Sequence, residues 1–342
     1  MIVREAGPAD EAGLAALAGA SPDGGAVAFT PEQHVPAREV AREHDISECV
    51  VAEVDGAVAA SGQLDIGTCR FEGEDVRYAL LSTLRVHPDY RRRGIAARLT
   101  DWRLQRAAEL AGHDVVVVAY IQAGNTASAG NARRWATQVG GRLIVTPVPM
   151  RRRPPRPRAS LTVRPAVDAE LGEIAATVDA HYAGHDFARR WNQTRLAGWL
   201  AASPFPDPVN HYLVVTDQSG RLLAGLGLHE EGRLSSLVIT HLPAHLRAAN
   251  AVLHVVPRGG RMRNLIADKA WFAPGQLGAA RYLWEVTRWE WRNAGTSLLL
   301  THDPRSPVHD VIAARPWLPT TSATVAVRSR TPMREQTIVE QL

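Results

Sequence analysis

Leu80-Leu81-Ser82-Thr83-Leu84-Arg85-Val86, then His87-Pro88-Asp89-Tyr90, then Arg91-Arg92-Arg93-Gly94-Ile95-Ala96-Ala97-Arg98 follow one another without a break. The first segment is an apolar run that reads as a strand, and the second is a proline turn. The third opens a helix that continues through Leu99, Trp102, Leu104, Ala107, Ala108 and Leu110. Another apolar strand, Val115 to Tyr120, comes next. A strand, a loop with a glycine and a helix N-terminus together make an anion site. The first helical N–H groups lack internal partners, and the helix dipole adds partial positive charge. Gly94 lets the backbone approach a phosphate, and the arginines add charge-assisted hydrogen bonds. The stretch carries neither GxxxxGK followed by Ser or Thr, nor GxGxxG after a strand, so neither usual nucleotide loop is present.

Outward from this stretch the chain reads as two copies of one mixed α/β unit. Val3-Arg4-Glu5-Ala6 with Asp10 leads into an Ala/Leu helix; Val163-Arg164-Pro165-Ala166 with Asp168 leads into Leu171, Ile174 and Val178. Cys49 to Val54, Asp55-Gly56 and Ala57 to Leu64 read as a β-hairpin on a favoured turn. Its counterpart is Tyr212 to Thr216, Asp217-Gln218-Ser219-Gly220, and Arg221 to Leu228. The offset stays at about 160 residues, as expected of an internal repeat. Between the copies, Arg151 to Arg158 reads RRRPPRPR and predicts an exposed, semi-rigid linker. The expected division is residues 1–150, a linker at 151–160, and residues 161–342.

Composition narrows the function. The chain has 342 residues, enough for about two domains, with 45% hydrophobic and 22% charged residues, which excludes wholesale disorder. Two cysteines without CxxC spacing exclude a disulfide framework and a cysteine-rich zinc module. His181, His185 and Asp186 lack a nearby third ligand and read as helix-surface residues, so no metal is expected. Apolar runs are too short to cross a bilayer, and the N-terminus lacks an apolar signal core. A cytoplasmic protein without membrane association is therefore expected. Lysine occurs once, at Lys269, so nearly all positive charge is arginine, yet a net +4 is too weak to argue for nucleic acid.

Arg91-x-x-Gly94-x-Ala96 after Val86-x-Pro88 resembles the pyrophosphate loop of the GNAT superfamily of acyl-CoA-dependent N-acyltransferases. That resemblance implies two GNAT-like domains. Each would hold a mixed, mostly antiparallel sheet with splayed central strands flanked by helices. It implies acetyl-CoA or another acyl-CoA as co-substrate, with the pyrophosphate on the loop amides Arg92, Arg93, Gly94, Ile95, Ala96 and Ala97 beside Arg91. The pantetheine would pair with Leu84 and Val86, and the Val86 amide would stabilise the oxyanion. Asn125 would contact the cofactor or cap a loop. The family's helix after strand five carries a tyrosine acid; here Trp135 stands near that position, and an indole cannot serve. Tyr120, the other half or solvent would then supply the proton. Glu230, at a strand end facing the acceptor cleft, is the candidate base, and His302-Asp303 is another.

The second half offers Arg263 to Phe272 as strand four and Ser297 to His302 as strand five. Gly275-Gln276-Leu277-Gly278-Ala279-Ala280 has the loop's spacing but lacks the leading Gln or Arg. The stripe Trp284, Trp289, Trp291 reads as core packing. Glu53 and Asp65 read as solvated carboxylates. The expected function is N-acylation of a small-molecule or peptide amine by a monomer or homodimer. Two alternatives stand beside it. One is an acyl group delivered by an acidic acyl-carrier protein docked on RRRPPRPR; the other is a non-catalytic acyl-CoA sensor.

Overall fold

The computed structural model describes residues 1–24, 27–35, 44–253, 256–312 and 320–342. Its main sheet has twelve strands among these residues. From the first edge the order is Ile2–Glu5, Ile46–Val54, Ala57–Phe71, Glu74–Val86, Val116–Gln122, Thr321–Arg328, Gln138–Pro149, Ser297–His302, Asn264–Phe272, Leu222–His229, Asn210–Thr216 and Thr162–Pro165. Read from either edge inward the sheet repeats itself. Four antiparallel strands lead to a parallel pair, as the duplicated sequence predicts.

The two copies interlock. Gln138–Pro149 begins beside Thr321–Arg328 and ends beside Ser297–His302, so it belongs to both halves. Thr321–Arg328 lies between Val116–Gln122 and Gln138–Pro149, inside the first half's share of the sheet. A smaller sheet pairs Ala28–Gln33 of the first half with Ser235–His241 of the second. The linker is therefore a boundary in the chain and not in the sheet. It is also anchored. The Arg151 amide donates to the Arg288 carbonyl at 3.1 Å, and Arg158 Nη1 donates to the Gly278 carbonyl at 3.0 Å.

Local chemistry explains the elements that carry the site. Asp55 and Gly56 take positive φ, as a tight hairpin turn demands. Helix Ile95–Ala111 buries Ile95, Leu99, Arg103 and Ala107, one stripe at four-residue spacing, against the sheet. Helix Leu277–Glu290 buries Ala279, Ala280, Leu283 and Trp284 in the second half's core. Of the predicted tryptophan stripe, Trp284 is in that core and Trp291 packs on its edge; Trp289 is half-buried under the guanidinium of Arg292. Removing each apolar stripe from water stabilises the fold by about 25 cal/mol per Å² buried.

Candidate active site

Strands Glu74–Val86 and Val116–Gln122 run parallel, and their pairing ends at Leu80 and Val118. Beyond that point the ladder of Glu74–Val86 with Ala57–Phe71 takes one extra residue, between Ser82 and Arg85, where Thr83 adopts φ 49°. A β-bulge bends its strand and strengthens the local twist, and the ladder between the two parallel strands stops there. A buried guanidinium supports the bulge. Arg103, 2% exposed, donates to the carbonyls of Gln63 at 3.1 Å and Ser82 at 3.2 Å. Burial lowers its pKa to about 10. Sequence reading missed Arg103, although it falls on the buried stripe of its helix and that placement is unusual for a charge.

Past the bulge, Pro88–Tyr90 forms a short turn and Gly94, φ 74°, becomes the N-cap of helix Ile95–Ala111. Arg92 also has positive φ, at 62°. Left-handed residues in a turn before a helix favour a backbone concavity suited to an anion. Arg92, Arg93 and Gly94 are exposed, Ile95 is buried in the core, and Ala96 and Ala97 are half-buried at the helix start. Arg91 turns back: its Nε donates to the Val86 carbonyl at 3.1 Å, which also accepts from Ser21 Oγ at 2.9 Å. The Val86 carbonyl is thus committed, while Leu84 lies on the bend itself. Arg93 stacks over the Tyr90 ring.

Other expected site residues fall as follows. Asn125 caps helix Thr126–Ala132, accepting from the Ser128 amide at 3.0 Å, which is the loop-cap reading. Trp135 is buried among Leu64, Leu81 and Val117. Tyr120 stands on the splayed strand, but its hydroxyl donates to the Glu340 carbonyl at 2.9 Å and accepts from the Leu342 amide at 3.0 Å. Burial pushes its pKa well above the ordinary tyrosine value. A proton for a departing thiolate would require that contact to open. Asp65 is buried and bonded to Ser47 and Gln63, and Glu53 pairs with Arg4, so neither is the solvated carboxylate expected. His185 is buried and paired with Glu340 at 2.7 Å, which corrects its reading as a helix-surface residue. Among the described residues no group of three or more His, Cys, Asp or Glu is disposed to hold a metal ion, and no helix is long and apolar enough to cross a membrane.

The second half repeats the splay and changes its outcome. Asn264–Phe272 and Ser297–His302 pair in parallel up to Ala267 and Leu300, and the bulge falls at Lys269, φ 48°. Here the donors are tyrosines: Tyr212 to the Lys269 carbonyl at 2.9 Å and Tyr182 to the Ala270 carbonyl at 2.7 Å. The loop that follows is short. It runs only from Phe272 to the N-cap Gln276, where the first half runs from Val86 to Gly94. Gly275 has positive φ, but Gly278 and Ala280 lie within the first turn of the helix and not in the loop, which corrects the alignment by spacing.

A cavity of about 880 Å³ opens where these second-half strands part. Ala267 to Lys269 and Leu299 to His302 form one wall, and Trp191, Trp199, Asn210, His229 and Glu231 form another. His44 and Asp45 of the first half and Leu342 also reach it. The chain's one lysine is buried here, its Nζ 2.5 Å from Asp268 and over the rings of Trp199 and Trp191 at 4.0 and 4.7 Å. His302 is buried with Nε2 2.8 Å from His309 Nδ1, and burial, then the neighbouring His309, lowers its pKa to about 4. Asp303 pairs with Arg305 instead of His302. Glu230 pairs with His211 at 2.9 Å; its neighbour Glu231 lines the cavity, as do Asp45, Asp268 and Glu340.

Bulge, parted strands and the loop before helix Ile95–Ala111 fall together in the first half of the chain. Residues 23–135 match the family model described as Acetyltransferase (GNAT) family. The whole chain shares its fold with a GCN5-related N-acetyltransferase from Sphaerobacter thermophilus, at 17% identity over 98% of this chain and 97% of that one, TM-score 0.57. It likewise matches Saccharomyces cerevisiae N-myristoyltransferase with bound myristoyl-CoA, at 9% identity over 100% of this chain and 89% of that one, TM-score 0.62. Both likenesses extend over the two halves together. A search of curated proteins by sequence found no match.

Proposed function

We propose that the protein is an N-acyltransferase that moves acetyl or another acyl group from coenzyme A to an amine. In this reading the first half takes the donor and the second-half cavity takes the acceptor. The observation that carries it is the difference between the two loops. One is long, arginine-rich and capped by a left-handed glycine; the other is too short to cradle a pyrophosphate and opens beside a large cavity. The yeast N-myristoyltransferase of the same fold holds an acyl-CoA, which supports the donor class.

The chemistry asks little of the donor side beyond position. The pyrophosphate rests on the amides after Arg92, the pantetheine lies in the slot beyond Leu80 and Val118, and the thioester reaches the bulge. The acceptor nitrogen attacks the thioester carbon. A C–N bond forms and the C–S bond breaks, a base removes the proton from nitrogen, and the thiolate gains one. Arg103 acts as a positioning residue that holds the bend in place.

Thermal unfolding with a panel of CoA thioesters, from acetyl to long-chain, tests the reading. One acyl-CoA at a hundredfold excess over its Kd should stabilise the protein by about 2.7 kcal/mol. Absence of any shift with every thioester would remove the donor class and return the carrier-protein reading.

A further inference from the structure

Three residues on the cavity wall, Asn210, His229 and Glu231, form a hydrogen-bonded chain. Asn210 is buried, and its Nδ2 donates to the carbonyls of Trp199 and Ala202, both at 2.8 Å. Carbonyls only accept, so the amide can face one way only. Its Oδ1 therefore points at His229 Nδ1, 2.6 Å away, and Nδ1 must carry the hydrogen. His229 Nε2 is left 3.2 Å from Glu231 Oε2. A bare imidazole nitrogen and a carboxylate would oppose lone pair to lone pair at that distance, whereas one hydrogen shared between them satisfies both. The other Glu231 oxygen accepts from the hydroxyl of Ser235. With that hydrogen in place the His229–Glu231 pair is neutral overall, and it remains open: the side chains are 21% and 32% exposed, and both line the cavity.

We infer that His229 and Glu231 form the subsite for a cationic amine of the acceptor, and that the amine enters by displacing the pair's own proton. This rests on the proposed acceptor role of the cavity. Once its proton leaves, the pair presents a carboxylate and a nitrogen lone pair to one point, with net charge −1. A primary ammonium carries three N–H donors and a charge of +1, which matches both features. The displaced proton goes to solvent, so charge balances. An alcohol brings no charge and leaves the proton where it is. An anion would meet Glu231. The other charges that line the cavity have partners of their own: Asp45 pairs with Arg77, Glu340 with His185 and Lys269 with Asp268, while Arg195 lies over the Trp191 ring and Arg189 beside His44. The indole of Trp199 faces the ammonium of Lys269, and the Trp199 carbonyl anchors Asn210. The substrate class is a polar amine such as a polyamine, an amino sugar or a peptide terminus, sized to a cavity of about 880 Å³.

The experiment titrates the whole protein with linear diamines from 1,3-diaminopropane to 1,6-diaminohexane and with spermidine, using diols of equal length as controls. Calorimetry in two buffers of different ionisation enthalpy counts protons, and side-chain ¹⁵N NMR reads His229. The expected result is release of about one proton per amine bound, with His229 Nε2 moving to its deprotonated position and no response to diols. Glu231→Gln keeps a hydrogen-bond partner for Nε2 but holds no proton. It should weaken amine binding at least tenfold and abolish proton release, with acyl-CoA binding unchanged. If no amine moves His229, or if Glu231→Gln releases as many protons as wild type, the subsite is wrong. Acyl-CoA binding is scored separately. Amine-driven proton release without any thioester binding would sink the donor reading and leave the subsite standing; the reverse pattern would do the opposite.

Discussion

In the first half strand Glu74–Val86 takes its extra residue at Thr83; in the second, strand Asn264–Phe272 takes it at Lys269, with φ values of 49° and 48°. Both positions are left-handed, which is uncommon for residues with a side chain and costs on the order of 1 kcal/mol. Both bends part a parallel pair, and in both a buried donor holds the bent carbonyls. Arg103 does this on one side, and Tyr182 and Tyr212 do it on the other. The geometry of the splay was kept while its surroundings changed. One copy continues into a long arginine-rich loop and the other into a short loop beside a cavity. A duplicated slot needs only one anion loop if the second slot serves the other substrate.

The largest effect that would test this asymmetry is a paired substitution. Gly94→Glu places a side chain and a negative charge on a left-handed N-cap facing the proposed pyrophosphate. It should weaken acyl-CoA binding by at least a hundredfold. Gly278→Glu puts the same charge inside the first turn of the other helix, and acyl-CoA binding should change by less than threefold. Isothermal titration of both variants checks this, and the opposite ranking would exchange the roles of the halves.

Next comes the support under each bulge. Arg103→Met removes the donors that serve the carbonyls of Gln63 and Ser82. An unpaired buried acceptor costs about 1–3 kcal/mol, so a loss of roughly 2 kcal/mol is expected after the benefit of no longer burying a charge. Donor affinity should fall with it, because the bend moves. Tyr212→Phe should cost about 1 kcal/mol and leave donor affinity intact. Urea unfolding with parallel titrations separates the two. Equal donor affinity in wild type and Arg103→Met would break the link between bulge and slot.

Much of this was legible in the residues, and the gaps have physical causes. Val86-x-Pro88 through Ala96 announced the loop because its chemistry is local: an apolar strand, a turn, a glycine and arginines within a few positions. The Asp55-Gly56 hairpin and the repeated order of elements were visible for the same reason. The place of Thr321–Arg328 in the first half's sheet was not, since a strand carries no label for a partner some 200 residues away. Counting from Gly275 put Gly278 in the loop because spacing cannot tell a loop residue from the first turn of a helix. Position at a strand end points to Glu230 but does not say which neighbour turns inward: His211 and Arg233 hold Glu230, and Glu231 lines the cavity. Lys269 did carry a signal: a chain that uses arginine everywhere else keeps one lysine, and it is buried at a bend.

A pH prediction bears on the second half. The folded state holds the pKa of His302 at about 4, against 6.5 ordinarily, through burial first and His309 second. The unfolded chain therefore binds the proton more readily. This stability is fully present above pH 6.5 and is lost as pH falls from there towards 4, up to roughly 3 kcal/mol. The urea midpoint should drop across that window, and His302→Asn should flatten the slope there. An unchanged slope would mean that the imidazole is hydrated from the cavity.

The smallest effect concerns the linker. Arg158 donates to the Gly278 carbonyl and stacks on Tyr282, so it covers the start of the second helix where an anion would otherwise approach. The contact is exposed, and Arg158→Ala should cost no more than about 0.5 kcal/mol. Its value lies in stoichiometry by native mass spectrometry. If the short loop is what denies the second half a pyrophosphate, the variant still binds one acyl-CoA per chain, because four missing residues are not restored by removing a guanidinium. If a second equivalent appears, the linker was the barrier. Both splays would then be donor slots held apart by one arginine, and the division of labour between the halves would lie in the hinge instead of the loop.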